Sequence, residues 1–382
     1  MATSNISALA PTLFSAAQDV SAEAFGAIDA INTSFDNKGV AKGDYVKVPY
    51  APTLSNSPFS PAATPPEGTA LTAGAISVEI TKSQKNSMVL TGEQITSLEN
   101  GSNYQEWARQ WAAQAMRALR NEAEQDCVLA IKGGASRAYG TAGTTPFATS
   151  LSDLNNVRKI LRDNGAPMTD LQFVGNTDTE LNLLNLGIIQ QAFAAGSDEE
   201  RRTGKIGRQF GFKLNTSAGI AQHVLTAGSN YVTDANGGNI AVGTTSFVID
   251  TGSTAIQAGD IFSIADAGAY KYVVNAALAN ATAGPLIIGR PGIRSVAAQN
   301  KALTFTASYT PNLAFERNSV VGIMRPPKMP ANPTMKTMTV SDQYGLTYLF
   351  VEIAQYGQIT WEMHLAWGFK AVQSEHIAIL IG

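Results

Sequence analysis

The feature that most constrains this chain is an unbroken helical pattern from about Asn103 to Ile131. Tyr104, Trp107, Trp111, Ala115, Leu119, Ala123 and Cys127 recur at spacings of three and four, while Glu106, Arg109, Gln110, Arg117, Arg120 and Glu124 take the other side. Good helix formers fill the run, neither Pro nor Gly interrupts it, and Gly133-Gly134 ends it. At about 1.5 Å per residue it extends on the order of 40 Å, well past the usual three or four turns. A compact enzyme has no need of a rod that long.

What surrounds the rod is extended or β-rich. Residues 1 to 36 place Leu9, Leu13, Phe14, Phe25, Ile28 and Ile31 far apart among small residues, with acids at Asp19, Glu23, Asp29 and Asp36. This reads as an arm lying on something else, with a short helix over 20–31 and no sizeable core of its own. Tyr45-Val46-Lys47-Val48-Pro49-Tyr50 predicts a strand, and Ile76, Val78 and Ile80 alternate with polar residues in a second. Between them Pro52, Pro58, Pro61, Pro65 and Pro66 keep the tip of a long hairpin from pairing as an open edge. Such a hairpin makes sense reaching onto a neighbour.

After the rod, helices are expected over 151–164 and 178–194, with a buried strand at Leu171-Gln172-Phe173-Val174 between them. The charged stretch from Asp198 to Lys213 reads as a mobile loop. From about 224 to 308 the helical period vanishes. Short strands are expected at 247–249, 261–264, 270–274, 286–288 and 303–305, which suggests a small inserted barrel or sandwich. Near the end, Leu346, Tyr348 and Phe350 alternate, then Ile359, Trp361, Met363, Leu365 and Trp367 do so against Thr360, Glu362, His364 and Ala366. With Gln355-Tyr356-Gly357-Gln358 as the turn, this predicts an antiparallel hairpin with His364 on its polar face.

Composition narrows the functional classes. Only 15% of the 382 residues are charged, against 44% apolar, whereas a free monomer usually carries roughly 25% charged residues. A surface covered by copies of itself fits this, although an ordinary Ala/Gly/Thr-rich soluble protein fits composition equally well. The net charge of −3 argues against a nucleic-acid binder, which needs clustered Lys and Arg. The lone Cys127 excludes an intrachain disulfide or a Cys-based zinc site and reads as a small buried hydrophobe. The N-terminus lacks the basic region of a signal peptide and no run reaches membrane-span length, so a cytoplasm-like compartment is expected.

Catalysis finds little to work with. His223, His364 and His376 have no metal-ligand spacing, and neither GxSxG nor a Walker sequence occurs. Phe247-Val248-Ile249-Asp250-Thr251-Gly252-Ser253 resembles an aspartic protease loop, but that chemistry needs a second such loop, and a turn explains the triplet more simply. Neither an enzymatic role nor a cofactor or metal is expected.

In this order the elements resemble the major capsid proteins of tailed bacteriophages, in the branch carrying an inserted β-domain. Local likenesses are Asn312-Leu313-Ala314-Phe315-Glu316-Arg317-Asn318 through Arg325-Pro326-Pro327, Trp367-Gly368-Phe369-Lys370-Ala371-Val372 with Glu375-His376, and Ala258-Gly259-Asp260-Ile261-Phe262-Ser263-Ile264. The resemblance implies an α+β, HK97-like capsid fold. Its parts are an N-terminal arm (1–44), an extended hairpin (45–92), the spine helix with part of a peripheral domain (93–150), part of an axial domain (151–223), the inserted β-domain (224–308) and a return to the first domains (309–382).

The function implied is a coat protein forming pentamers and hexamers of an icosahedral shell around double-stranded DNA. The shell is assembled in the host cytoplasm with a scaffolding protein and a portal, sometimes with a decoration protein. Candidate intersubunit contacts are Tyr50, Pro58, Phe59, Lys82 and Lys85 on the hairpin, and Asp19, Glu23 and Phe25 on the arm. Arg109, Arg117 and Arg120 on the spine and Arg201, Arg202 and Arg208 in the charged loop complete the set. Some relatives cross-link through Lys and Asn; Lys82, Lys85 and Asn86 lie near the hairpin, but no carboxylate is evident to catalyse this. The alternatives are a cargo-enclosing shell of the same fold, a hydrolase using Asp250, and a β-rich adhesin.

Overall fold

The protein is described here from a computed structural model, which covers residues 6–20, 26–34, 42–50, 58–59, 61, 74–101, 103–187, 207–234, 238–252, 254–279, 283–330, 332–343 and 345–382. Helices α1 (Ile6–Gln18) and α2 (Gly26–Ala30) come first, then a ribbon of β1 (Tyr45–Tyr50) and β2 (Gly74–Glu79). Strand β3 (Lys82–Thr91) leads into α3 (Gly92–Asn100) and the long α4 (Tyr104–Gly133). Next are β4 (Arg137–Gly140), α5 (Ser152–Asp163), β5 (Leu171–Gly175), α6 (Thr177–Asn185), β6 (Arg208–Gln209) and β7 (Phe212–Thr216). The β-rich stretch holds β8 (Val232–Thr233), β9 (Ser246–Asp250), β10 (Ile261–Ile264), β11 (Lys271–Val273), β12 (Ala283–Ile287) and β13 (Leu303–Phe305). The chain closes with β14 (Pro311–Glu316), β15 (Val320–Arg325), β16 (Met335–Ser341), β17 (Thr347–Gln355), β18 (Gln358–Ala371) and β19 (Ile377–Ile381). The fold is α+β.

The spine helix organises the core. Its 30 residues span about 45 Å, and its first half presents Tyr104, Trp107 and Trp111 to Trp361, with ring centroids 5.8, 6.2 and 5.9 Å apart. Phe350 closes this cluster from β17, 6.0 Å from Trp361. Ala115, Leu119, Ala123 and Cys127 are buried as their spacing predicts. The buried stripe is wider than expected, because a second layer covers the helix. Leu9, Leu13, Ala16, Ala17 and Val20 of the N-terminal segment, with Ile28 and Ile31, are buried in the same core. The described part of the arm therefore packs on its own spine, and the expectation that it adds no sizeable core does not hold. Small residues on both helices, such as Ala108 and Ala112 on α4, let the axes approach closely.

Two sheets flank the spine. In one, β18 is central: β3 pairs along its whole first ten residues, while β17 and then β15 take its other edge, with β16 outside β17. The predicted alternation of β18 misleads on one point. Both faces are buried, because the base of the β1–β2 ribbon lies across the far side, joining Val46, Val48, Val78 and Ile80 to Val321, Ile323 and Ala366. His364 is consequently 5% exposed and hydrogen-bonded to Glu362.

The other sheet runs β13-β10-β11-β4-β19-β14-β5-β7-β6. Its heart, β5, β14 and β19, is buried along every residue. β19 had no counterpart among the expected strands, since Ile377-Ala378-Ile379-Leu380-Ile381 is apolar throughout and carries no alternation. The end of the stretch expected as a mobile loop is β6 and β7, with β7 parallel to β5. Phe212 anchors it, fully buried 6.5 Å from Phe173.

The β-rich stretch closes on itself. β8, β9 and β12 form one sheet, and single bridges Val274↔Ile288 and Val232↔Ala302 join it to β11 and to the chain entering β13. The result is a six-stranded barrel around Phe247, Ile249, Phe262, Tyr272 and Leu286. One wall of it, β10, β11 and β13, also continues the nine-stranded sheet, through β11 against β4.

Candidate functional site

The residues expected to contact other subunits divide into those their own chain occupies and those it leaves outward. Lys82 leaves β3 toward the spine, 3.2 Å from Glu122 and 2.8 Å from Asp126, and these acids hold its ammonium above the usual lysine range. Asp126 also accepts from the indole of fully buried Trp367 at 2.8 Å. On the opposite face of β3, Lys85 lies 2.6 Å from Glu362, whose second oxygen is 2.9 Å from His364 Nε2. Asn86 donates to the Ala115 carbonyl at 3.1 Å. β3 is thus stitched to its own subunit on both faces.

Asp19 and Arg109, expected on separate contacts, meet each other, and Glu106 joins them 2.7 Å from Arg109. Arg117 is half-buried on the spine. Arg120 corrects its expected role outright: it is fully buried, with Nη1 3.1 Å from Asp342 and Nη2 3.7 Å from Asp29. Asp342 also accepts from the Leu346 amide and the Tyr348 hydroxyl. A guanidinium enclosed this way serves the fold and is closed to a neighbouring subunit. Glu124, one turn on, is equally buried. Its carboxylate accepts from the amides of Ala27 and Ile28 at 2.8 and 3.0 Å and from Ser217 at 2.6 Å. Burial pushes this carboxyl up, and those three donors oppose the shift.

Arg208 stands 3.7 Å from Asp170, beside a cleft of about 870 Å³ also lined by Asp29, Lys213 and Arg317. Glu23, Phe25, Arg201 and Arg202 lie outside the described residues, as does most of the hairpin tip. Between β1 and β2, Pro58 is exposed and Phe59 is 91% exposed. Tyr50 ends β1, opposite Gly74.

The Asp-Thr-Gly triplet lies at the end of a strand. Asp250 ends β9, Thr251 is left-handed at φ 53°, and a Cβ on Gly252 would come within 2.3 Å of the Tyr231 ring. Glycine is there to let the ring in. Among the described residues no cluster of His, Cys, Asp and Glu is suited to hold a metal ion, and no helix is long and apolar enough to cross a membrane.

Sequence reasoning passed over the acids that occupy these cations, Asp126, Asp342 and Glu362. No local signal marks them, since Arg120 and Asp342 are 222 positions apart. Glu124 carried a weak signal, an acid one turn from Arg120 on a helix with large apolar residues around it.

Comparisons with known proteins are of one kind. No family model matches the chain and no curated protein matches it. Solved structures do. One from Mycobacterium phage Che8 is 11% identical over 93% of this chain and 90% of that one, with a TM-score of 0.49. The capsid structure of the cyanophage P-SCSP1u is 12% identical over 94% and 89%, also at 0.49. A virus-like particle from Pyrococcus furiosus is 8% identical over 98% of both chains, at 0.45.

Proposed function

We propose that this chain is the major capsid protein of a tailed bacteriophage, a subunit of an icosahedral shell that encloses double-stranded DNA. The observation that carries the reading is the β1–β2 ribbon. Its strands are built into the subunit, with Val46, Val48, Val78 and Ile80 buried, while Phe59, between them in sequence, is 91% exposed. A large aromatic side chain exposed between β1 and β2 gains nothing for a lone subunit, and gains its full burial against a neighbour. The sequence likenesses around Asn312–Asn318 and Trp367–Val372 support the same reading. They fall largely on β14 and β18, interior strands of the two main sheets.

The work of such a protein is assembly. Each interface is individually weak, so misplaced subunits dissociate, and the closed shell gains from many contacts at once. Pro58, Phe59 and Tyr50 are the contacts we assign to the ribbon. A net charge of −3 suits a wall that confines DNA without gripping it. Scaffolding and portal proteins are its assembly partners in the host cytoplasm, and the virion is its destination.

Sedimentation and negative-stain microscopy of the purified chain, alone and with its scaffolding protein, test this. Rings of five and six subunits or uniform hollow particles are expected. A monomer that persists at high concentration with scaffold present overturns the proposal, and particles filled with a co-purified enzyme point to a cargo shell instead.

A further inference from the structure

One buried row of polar groups lies where the end of the spine helix meets the inserted barrel. Lys132, in the last turn of α4, is 7% exposed, His223 is 8%, and Asp260, in the turn before β10, is fully buried. Lys132 Nζ lies 3.0 Å from His223 Nδ1, and His223 Nε2 lies 2.8 Å from Asp260 Oδ1. The other Asp260 oxygen accepts from the Gln257 amide at 2.8 Å. His223 is tied to Tyr309 by two backbone hydrogen bonds of 2.8 and 3.0 Å, and the Tyr309 hydroxyl donates to the Gly259 carbonyl at 2.6 Å. Gly259 has φ +96°, and a Cβ on it would sit 2.9 Å from Lys132 Cε. The backbone that carries Asp260 is therefore pressed against the lysine stem.

We propose that Lys132, His223 and Asp260 form a proton-operated joint between the spine helix and the inserted barrel. An ammonium offers only donors, so the Nδ1 that faces it holds a lone pair and the ring proton sits on Nε2, donated to Asp260. In this form both ring nitrogens and both carboxylate oxygens have partners. A second ring proton turns Nδ1 into a donor aimed at an ammonium 3.0 Å away and sets like charges side by side. The other titratable groups against the ring give no relief. Asp260 already holds the far nitrogen, and the Tyr309 hydroxyl is committed to Gly259. Lys132 is strained as a cation already, since burial draws its ordinary value down against the pull of Asp260.

The second proton is accommodated by parting Lys132 from His223. That frees the Gln257–Asp260 turn and the His223–Tyr309 pair from the end of α4. The pairing of β11 with β4 involves none of the three residues and remains as the hinge. The joint stands independently of the shell reading, since the row lies inside one subunit.

The test is hydrogen exchange of the full chain between pH 7.5 and 5.0, corrected for the intrinsic pH dependence of exchange and followed in peptides containing His223 and Asp260. As pH falls across this range, opening of these peptides should grow by up to about tenfold per pH unit. His223→Gln accepts from Lys132 and donates to Asp260 but takes no proton, so its profile should be flat. Lys132→Met removes the opposing charge, should flatten the profile too, and decides the matter if the glutamine variant does not fold. At pH 7.5 the ring nitrogen resonances of His223 should show a proton on Nε2 alone. An unchanged pH step in both variants, no step in the wild type, or a doubly protonated ring at pH 7.5 overturns the proposal.

Discussion

Gly368 on β18 lies so close beneath Glu79 of the ribbon that a Cβ on it would be 1.9 Å from the Glu79 carbonyl oxygen. The contact is backbone, so no side chain can turn aside. Gly368→Ala should cost about 3 kcal/mol, the upper end of overpacking penalties, and should lift the ribbon base off β15 and β18. Urea unfolding measures the first effect, and protease cleavage between residues 42 and 81 the second. A loss below about 0.5 kcal/mol would mean that the ribbon is not seated there.

Arg120 and Asp342 are both fully buried and 3.1 Å apart. Arg120→Met should destabilise by about 3–5 kcal/mol, because it strands a buried carboxylate. Adding Asp342→Asn, whose carbonyl oxygen still accepts from the Leu346 amide while its NH2 donates to the Tyr348 hydroxyl oxygen, should restore most of that. Arg109→Met, on the exposed side of the same helix, should leave the denaturation midpoint nearly unchanged.

Burial draws the His364 imidazole below its ordinary value, against the pull of Glu362. The sign follows directly. The folded state prefers the neutral ring, so the unfolded chain binds more protons as pH falls below about 6.5. Stability is complete above that value and declines from there down to the lowered one. His376 is shifted the same way. His364→Gln, which still donates to Glu362, should reduce the slope of melting temperature against pH between 6.5 and 5, and adding His376→Gln should reduce it further. An unaltered slope in the double variant would count against both assignments.

Cys127 is fully buried, and burial pushes its thiol well above the usual range. A thiolate-selective reagent should leave it untouched in the folded chain and react at the rate of unfolding. Fast labelling in native buffer would contradict the packing of α4.

Phe59 is 91% exposed. On the proposed function, Phe59→Ser should leave the melting temperature of the unassembled subunit unchanged and slow the appearance of particles by light scattering. Equal assembly rates would remove Phe59 from the interface.

Much of this architecture is written locally. The three-and-four spacing from Tyr104 to Cys127 specifies a rod and its buried stripe, and Gly133-Gly134 its end. Alternation specifies β2, β17 and β18, and the short apolar runs between turn residues specify β9 to β13. Such patterns work because a helix or strand with one buried face must repeat at its own period. What they leave open is anything about the second face. Arg120, Glu124 and Lys132 occupy positions a lone amphipathic helix would give to water. They are buried because α2, the Asp342 turn and the barrel arrive there from distant parts of the chain.

The same holds for the surfaces proposed for assembly. Lys82, Lys85 and Arg120 are long cations on predicted outer faces, and each finds a carboxylate that only folding brings near. Phe59 has no such partner among the described contacts. By itself the sequence determined the spine helix, the closing hairpin and the short strands of the β-rich stretch, but it did not mark α1, β3, β7 or β19. The tertiary structure decided which charges are spent inside the subunit, because pairing a buried charge depends on what lies across from it and not on what lies beside it in the chain.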